Sequence, residues 1–275
     1  MSEPLIVDSK SARRQFIQCQ QCRKSSEHNH KLFKCTGCDV TLYCSRECQR
    51  KHWPSHKTRC RINQEQKSLF KEYDKRILEK ATSSGADSPA PLLTTQLTDE
   101  LRAFASKFRP LVFQAAFNAL DIANHCFAWQ QLAFYVILER IPHVDPASRP
   151  WSRFRVLEAI ALPYMAMRMM KQWDNGMAET VIEQTLAQQR EHLSVEGTIG
   201  TITIMIGARC DAEPKGVAIH DTLWMAFGEH SQGAMVIEDK WRDTFVDTVE
   251  RMCGRSPEAQ ASTAGAGVEA VRIGA

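Results

Sequence analysis

Cys19, Cys22, Cys35, Cys38, Cys44, Cys48, His56 and Cys60 gather seven of the chain's ten cysteines and one of its nine histidines into one short stretch. Thiolate and imidazole are soft donors, and a structural zinc ion takes four of them in tetrahedral geometry. Eight such donors, suitably spaced, specify two closed sites with no position left for a catalytic water. The chemistry predicted for this stretch is metal-dependent folding.

The elements that must position the donors follow from their spacing. Cys19-Gln20-Gln21-Cys22 and Cys35-Thr36-Gly37-Cys38 are C-x2-C knuckles, short turns in which two sulfurs converge on one ion, with Gly37 supplying backbone freedom. Cys44 and Cys48 are four residues apart, as are His56 and Cys60, which puts each pair on one face of a helix. Pro54 lacks an amide hydrogen and disfavours helical geometry at Trp53, so two short helices are expected with Pro54 between them. Spacing alone leaves the pairing of the donors open.

The run from Tyr43 to Cys60, YCSRECQRKHWPSHKTRC, resembles in order and spacing the MYND-type zinc finger, and the resemblance covers about residues 19–60. Members of that family use their ligands alternately. The resemblance therefore implies one zinc on Cys19, Cys22, Cys44 and Cys48 and a second on Cys35, Cys38, His56 and Cys60. The loop between Cys22 and Cys35 is long for the family and holds His28 and His30, which could compete for metal, although an exposed polar loop explains them equally well. His52 falls in step with Cys48, His56 and Cys60 but matches no family ligand, and is read as a packing residue beside the site. A disulfide-rich secreted segment is the competing explanation of the cluster. The cluster's seven cysteines, an odd number, and an opening Met-Ser-Glu-Pro without an apolar run argue against it.

MYND fingers in general are protein-interaction modules, and several recognise short proline-rich peptides on transcriptional regulators. Proline-rich ligands dock on exposed aromatic surfaces because their conformation is already restricted. Tyr43, Gln49 and Trp53 are the expected partner surface; the alternative is that Trp53 caps the small core under the zincs.

A chain of 275 residues with 43% hydrophobic content is expected to hold two globular units. The expected division is an N-terminal tail (1–14), the finger (15–61), an amphipathic helix (62–80), a linker rich in Ser, Ala, Gly and Pro (81–91), an α+β domain of unknown role (92–254) and a disordered tail (255–275). The fold class is thus α+β: a small cross-braced two-zinc finger, a helix, a linker and a mixed domain with few strands. The longest apolar runs, Leu132–Leu138 and Ile199–Ile206, are far too short to span a bilayer. An intracellular protein, cytoplasmic or nuclear, is expected.

Residues 1–80 carry 18 Lys and Arg against 9 Asp and Glu, so the basic part is the finger. Clustered cations invite a nucleic-acid reading. Seven thiolates with two divalent ions contribute about −3, however, and no helix predicted within the finger is long enough to read a major groove. A protein partner is expected in preference to nucleic acid.

In the second unit, helices are predicted at 98–108 with Thr98 as N-cap, at 110–120, at 179–193 and at 239–253. Strands are predicted at 131–141 and 197–208, with a third near 154–160. Asn124-His125-Cys126 and Gly228-Glu229-His230 look faintly like pieces of the SET methyltransferase site that accompanies MYND fingers elsewhere. The serine, the second acid and a following tyrosine are missing. No phosphate loop or Gly-x-Ser-x-Gly elbow is present. Cys126, Cys210, Cys253, His143, His192 and His220 stand isolated, and a His220-Asp221 dyad lacks a third member. No catalytic residue is assigned and the chain is expected not to be an enzyme. The alternatives are an unrecognised active site in 92–254, which would show a deep polar pocket there, and a nucleic-acid-binding regulator.

Overall fold

The computed structural model describes residues 14, 16–26, 31–83, 90–142, 145, 147–169, 177–209, 219–228 and 235–255. Nearly all of the expected N-terminal and C-terminal tails, residues 84–89 of the expected linker, His28, His30, His143, Cys210, Glu229 and His230 lie outside them.

Strands β1 (Phe33–Lys34) and β2 (Leu42–Tyr43) pair antiparallel, with Phe33 opposite Tyr43. They lead into α1 (Arg46–Ser83), a single helix of 38 residues with Pro54 inside it. This corrects the expectation of two short helices broken at Pro54 and a separate helix over 62–80. The proline removes one hydrogen bond, to the carbonyl of Arg50, but Arg50 and Pro54 are both exposed, so water can serve that carbonyl. The opposite face holds the helix together: Cys48, His52, His56 and Cys60 follow one another at intervals of four along it, and the last three are buried.

The second unit is a four-stranded sheet in the order β4-β3-β5-β6, formed by β3 (Leu132–Arg140), β4 (Phe154–Pro163), β5 (Gly200–Arg209) and β6 (Ile219–Phe227). β3 and β5 are parallel and the outer pairs antiparallel. One face packs on α2 (Thr94–Lys107), α3 (Arg109–Ala119) and α5 (Trp241–Met252), through Phe104, Phe113, Phe117, Phe134, Ile204 and Phe245. The other face, with Ala133, Tyr135 and Met205, is covered by α4 (Met177–Leu193) and the helical turn Tyr164–Met167. The class is α+β as expected. β6 was not predicted, because Asp221 interrupts the apolar alternation of Ile219, Leu223, Met225 and Phe227. No helix among the described residues is long and apolar enough to cross a membrane.

The predicted cap of α2 is also corrected. The helix starts at Thr94, and Thr98 lies inside it, buried, its hydroxyl donating to the Thr94 carbonyl at 2.8 Å. The first amides are taken instead by a side chain of α1: the Asp74 carboxylate accepts from Thr94 N at 2.5 Å and Thr95 N at 3.2 Å. A buried anion at a helix N-terminus satisfies orphan donors and the helix dipole together. A second buried carboxylate, Glu100, pins α2 to the sheet side by accepting from Arg140 at 2.6 Å and Arg153 at 2.5 Å. Asp74→Ala is expected to cost about 2–3 kcal/mol, the worth of a charge-assisted bond plus stranded amides. Urea unfolding followed by tryptophan fluorescence measures it, and a change below about 0.5 kcal/mol would contradict the capping role.

Candidate metal centre

The two knuckles are built alike. The amide of the residue after each second cysteine returns to the first: Arg23 N donates to Cys19 O at 2.9 Å, and Asp39 N to Cys35 O at 2.8 Å. Arg23 and Asp39 both adopt positive φ, 59° and 57°, which non-glycine residues rarely do. Gly37 has a different task from the one expected. Its φ is not in the left-handed region, but a Cβ there would lie 3.0 Å from Cys60 Sγ and 2.6 Å from Gln64 Nε2. A side chain there would crowd the Cys60 thiolate, so glycine leaves space beside the metal cluster.

The knuckles meet α1 to form two clusters, Cys19–Cys22–Cys44–Cys48 and Cys35–Cys38–His56–Cys60, in each of which the donor atoms lie within 4.8 Å of one another. In the first, Cys22 Sγ is 3.5 Å from Cys44 Sγ, and Cys44 Sγ 3.4 Å from Cys48 Sγ. In the second, Cys38 Sγ is 3.7 Å from His56 Nε2, and Cys35 Sγ 3.9 Å from Cys60 Sγ. Tetrahedral zinc with bonds of about 2.3 Å needs sulfurs roughly 3.8 Å apart, so the donor sets fit the ion. The second cluster is wholly buried, whereas Cys22 of the first is exposed. His56 presents Nε2 because Nδ1 lies 3.4 Å from Thr41 Oγ1, which fixes the ring's orientation. Gln49 and Gln64 donate to Cys35 Sγ and Cys60 Sγ.

The electrostatics of the donors call for a cation. Burial pushes the Cys38 thiol up, but His56 and the Thr41 amide outweigh it and bring the pKa to about 5. Hydrogen bonding to Cys48 and burial drive Cys44 up to about 12, and burial beside Cys35 does the same to Cys60. Thiols this close cannot all ionise without a divalent ion between them.

His52 shares the buried face of α1 but joins neither cluster. Its Nδ1 is 2.8 Å from the Tyr43 hydroxyl and its Nε2 is 2.9 Å from Glu191 on α4. Glu191 also accepts from Gln20 and Arg23 of the first knuckle, each at 3.4 Å. Burial works against the Glu191 carboxylate, yet His52 and Arg23 hold its pKa at about 2. Seven residues further along α1, the Arg59 guanidinium lies 3.9 Å over the Trp224 ring of β6 and donates to Gln188 at 2.5 Å. The finger is thus bonded to the second unit through partners more than a hundred residues away, for which local sequence carries no signal.

The expected partner surface comes apart. Tyr43 is buried at 2% exposure and belongs to the core between the clusters, which corrects its assignment to the surface. Gln49 is half-buried against Cys35, and Trp53 is 43% exposed with its ring edge-on to His56 at 6.0 Å. Among the isolated groups, His192 bonds Thr201 at 2.9 Å and His220 bonds Tyr135 at 2.7 Å; burial lowers the pKa of each to about 4. His125 pairs with Asp121 on the surface, Asn124 donates to the same carboxylate, and Cys126 is exposed.

Residues 15–60 match the family described as MYND finger. Those residues are a MYND finger. The human histone-lysine N-methyltransferase SMYD3 is 38% identical over 60 residues, which is 22% of this chain and 13% of that protein. The mouse protein of the same name is 36% identical over 59 residues, again 22% and 13%. A SET and MYND domain-containing protein of Dictyostelium discoideum is 36% identical over 55 residues, 19% of this chain and 10% of that one. The chain thus matches only about an eighth of the length of the SMYD3 relatives, within the MYND segment, and the rest of it is unassigned. No solved structure matches the chain. The expectation that the chain is not an enzyme is overturned by these relatives, two of which are named as methyltransferases. The MYND finger supplies zinc binding and protein interaction, with two zinc ions.

Because Cys22 is exposed and the second cluster is not, a chelator is expected to take the zinc of Cys19, Cys22, Cys44 and Cys48 first. Release followed with a chromophoric chelator should be biphasic at two ions per chain in the wild type, and Cys48→Ala should abolish that pattern. Each structural zinc contributes on the order of 10–16 kcal/mol to folding, so that variant should also lose the finger's fold. A single phase, or a folded finger in Cys48→Ala, would refute the assignment.

Proposed function

We propose that the MYND finger recognises short proline-rich peptides of a partner protein, with Trp53 as the aromatic platform. The observation that supports it is the placement of Trp53: an exposed ring held edge-on against His56, a candidate zinc ligand, with Gln49 one helical turn before it. A ring fixed by its neighbour loses little entropy on binding, and proline-rich segments prefer such surfaces. The cysteine-based sites suit a reducing compartment, so the protein is assigned to the cytoplasm or nucleus, in a regulatory or scaffolding role.

A second reading, lysine methylation, is favoured by the human and mouse relatives, which are named as histone-lysine N-methyltransferases. Incorporation of a labelled methyl group into histone by the full chain is its test; no incorporation would leave it without support.

Trp53→Ala should weaken capture of proline-rich peptides at least tenfold, about 1.4 kcal/mol, while zinc content and thermal unfolding stay unchanged. The full chain is the protein to use, since the finger is bonded to α4. Equal capture by wild type and Trp53→Ala, with control peptides run alongside, would reject Trp53 as the platform.

A further inference from the structure

A cleft of about 1720 Å³ opens between the finger and α1 on one side and α2 and β6 on the other. Six consecutive residues of β6, Asp221–Ala226, line it. Among the described residues β6 is an edge strand, hydrogen-bonded to β5 alone. The direction of its free edge can be read from two bonds. The Phe227 carbonyl accepts from Ile199 on the β5 side at 2.9 Å, whereas the Thr222 amide is taken by the neighbouring Asp221 carboxylate at 3.0 Å. In an antiparallel strand alternate residues direct their backbone groups to opposite edges. Thr222, Trp224 and Ala226 therefore turn their amides and carbonyls into the cleft, and among the described residues those of Trp224 and Ala226 meet no hydrogen-bonding partner on that edge.

Exposed strand edges are templates for another strand, and proteins usually cover or charge them. This one faces residues of α1 across the cleft. Cations outnumber acids along the walls: Asp39 and Glu79 pair with Lys67 and Lys75 and Asp74 caps α2, while Arg59, Lys71, Arg102 and Arg109 form no salt bridge among the described residues, Asp221 being the acid whose charge acts on the three arginines. Arg109 keeps a buried Nε without a partner. Asp221 is the one acidic side chain that β6 itself contributes to the cleft, and it sits on the amide that an incoming carbonyl would take.

We propose that this cleft binds an acidic peptide in extended conformation, which adds as a fifth strand along β6 with its carboxylates toward Arg102 and Arg109. Its backbone would use the outward groups of Trp224 and Ala226, and the Asp221 side chain would yield the Thr222 amide to it. The site is separate from Trp53 and does not depend on the finger's own ligand.

Two labelled peptides of about eight residues, an ordinary strand length, serve as probes: one alternates threonine with glutamate and the other threonine with lysine. Fluorescence anisotropy with the full, zinc-loaded chain should show binding of the glutamate peptide alone, and amide exchange at Trp224 and Ala226 should slow when it binds. Ala226→Pro removes an outward amide at an edge position where proline is tolerated, and should weaken binding at least tenfold with unchanged circular dichroism and zinc content. Arg102→Glu, at an exposed position of α2, should do the same and serves if the proline variant misfolds. Equal binding of the lysine peptide, unchanged exchange, or no binding of the glutamate peptide would overturn the proposal. So would loss of binding in Trp53→Ala with none in Ala226→Pro, which would move the peptide to the finger.

Discussion

Everything in the chain hangs on one face of α1. From its start that face carries Cys48, then His52, His56, Cys60 and, four turns on, Asp74. Each makes a different bond: a donor for the first cluster, a hydrogen bond to α4, two donors for the second cluster, and the cap of α2. Because the helix is continuous, these groups have fixed relative positions, at about 1.5 Å of rise per residue. A break anywhere between Cys48 and Asp74 would disconnect metal binding from the seating of the second unit. That is why an interior proline is tolerated only on the outward side, where the carbonyl it strands can be hydrated.

The metal chemistry was legible because ligand spacing is a local property. The eight donors and the α+β class could be read directly, while the alternate pairing came from resemblance and is now matched by the clustering of the side chains. What misled was a rule applied without its surroundings. Pro54 terminates helices in isolation, but here ligation and burial of the opposite face outweigh one lost bond. Thr98 is a good cap residue overtaken by a better cap from another helix. Tyr43 looked like an aromatic available for binding, and only tertiary structure shows its hydroxyl committed to His52. β6 escaped notice because its polar residues serve the cleft and the α4 face, which hides the alternation.

The seam between the finger and the second unit is polar. Glu191 gathers donors from His52, Arg23, Gln20 and Gln188 around one carboxylate, and Arg59 spends its charge on a tryptophan face and an amide oxygen. Such contacts specify one orientation of the two units, since each donor has a single well-placed acceptor. They do so at the edge of the sheet, which leaves β6 facing a walled cleft instead of open solvent.

The two left-handed residues that close the knuckles differ in what they hold. Asp39 pairs with Lys67, which lies on α1, so the second knuckle is tied back to the helix that already carries its own ligands. Arg23 reaches across to Glu191 on α4. A non-glycine residue in that backbone region stores roughly 1–2 kcal/mol, held in place here by the turn that ligation closes. Loss of the second ion would relax Asp39 and loosen its tie to Lys67 on the same helix. Loss of the first would relax Arg23 and release its grip on Glu191, so that the vacancy of a single metal site is transmitted to a domain that contains none of its ligands.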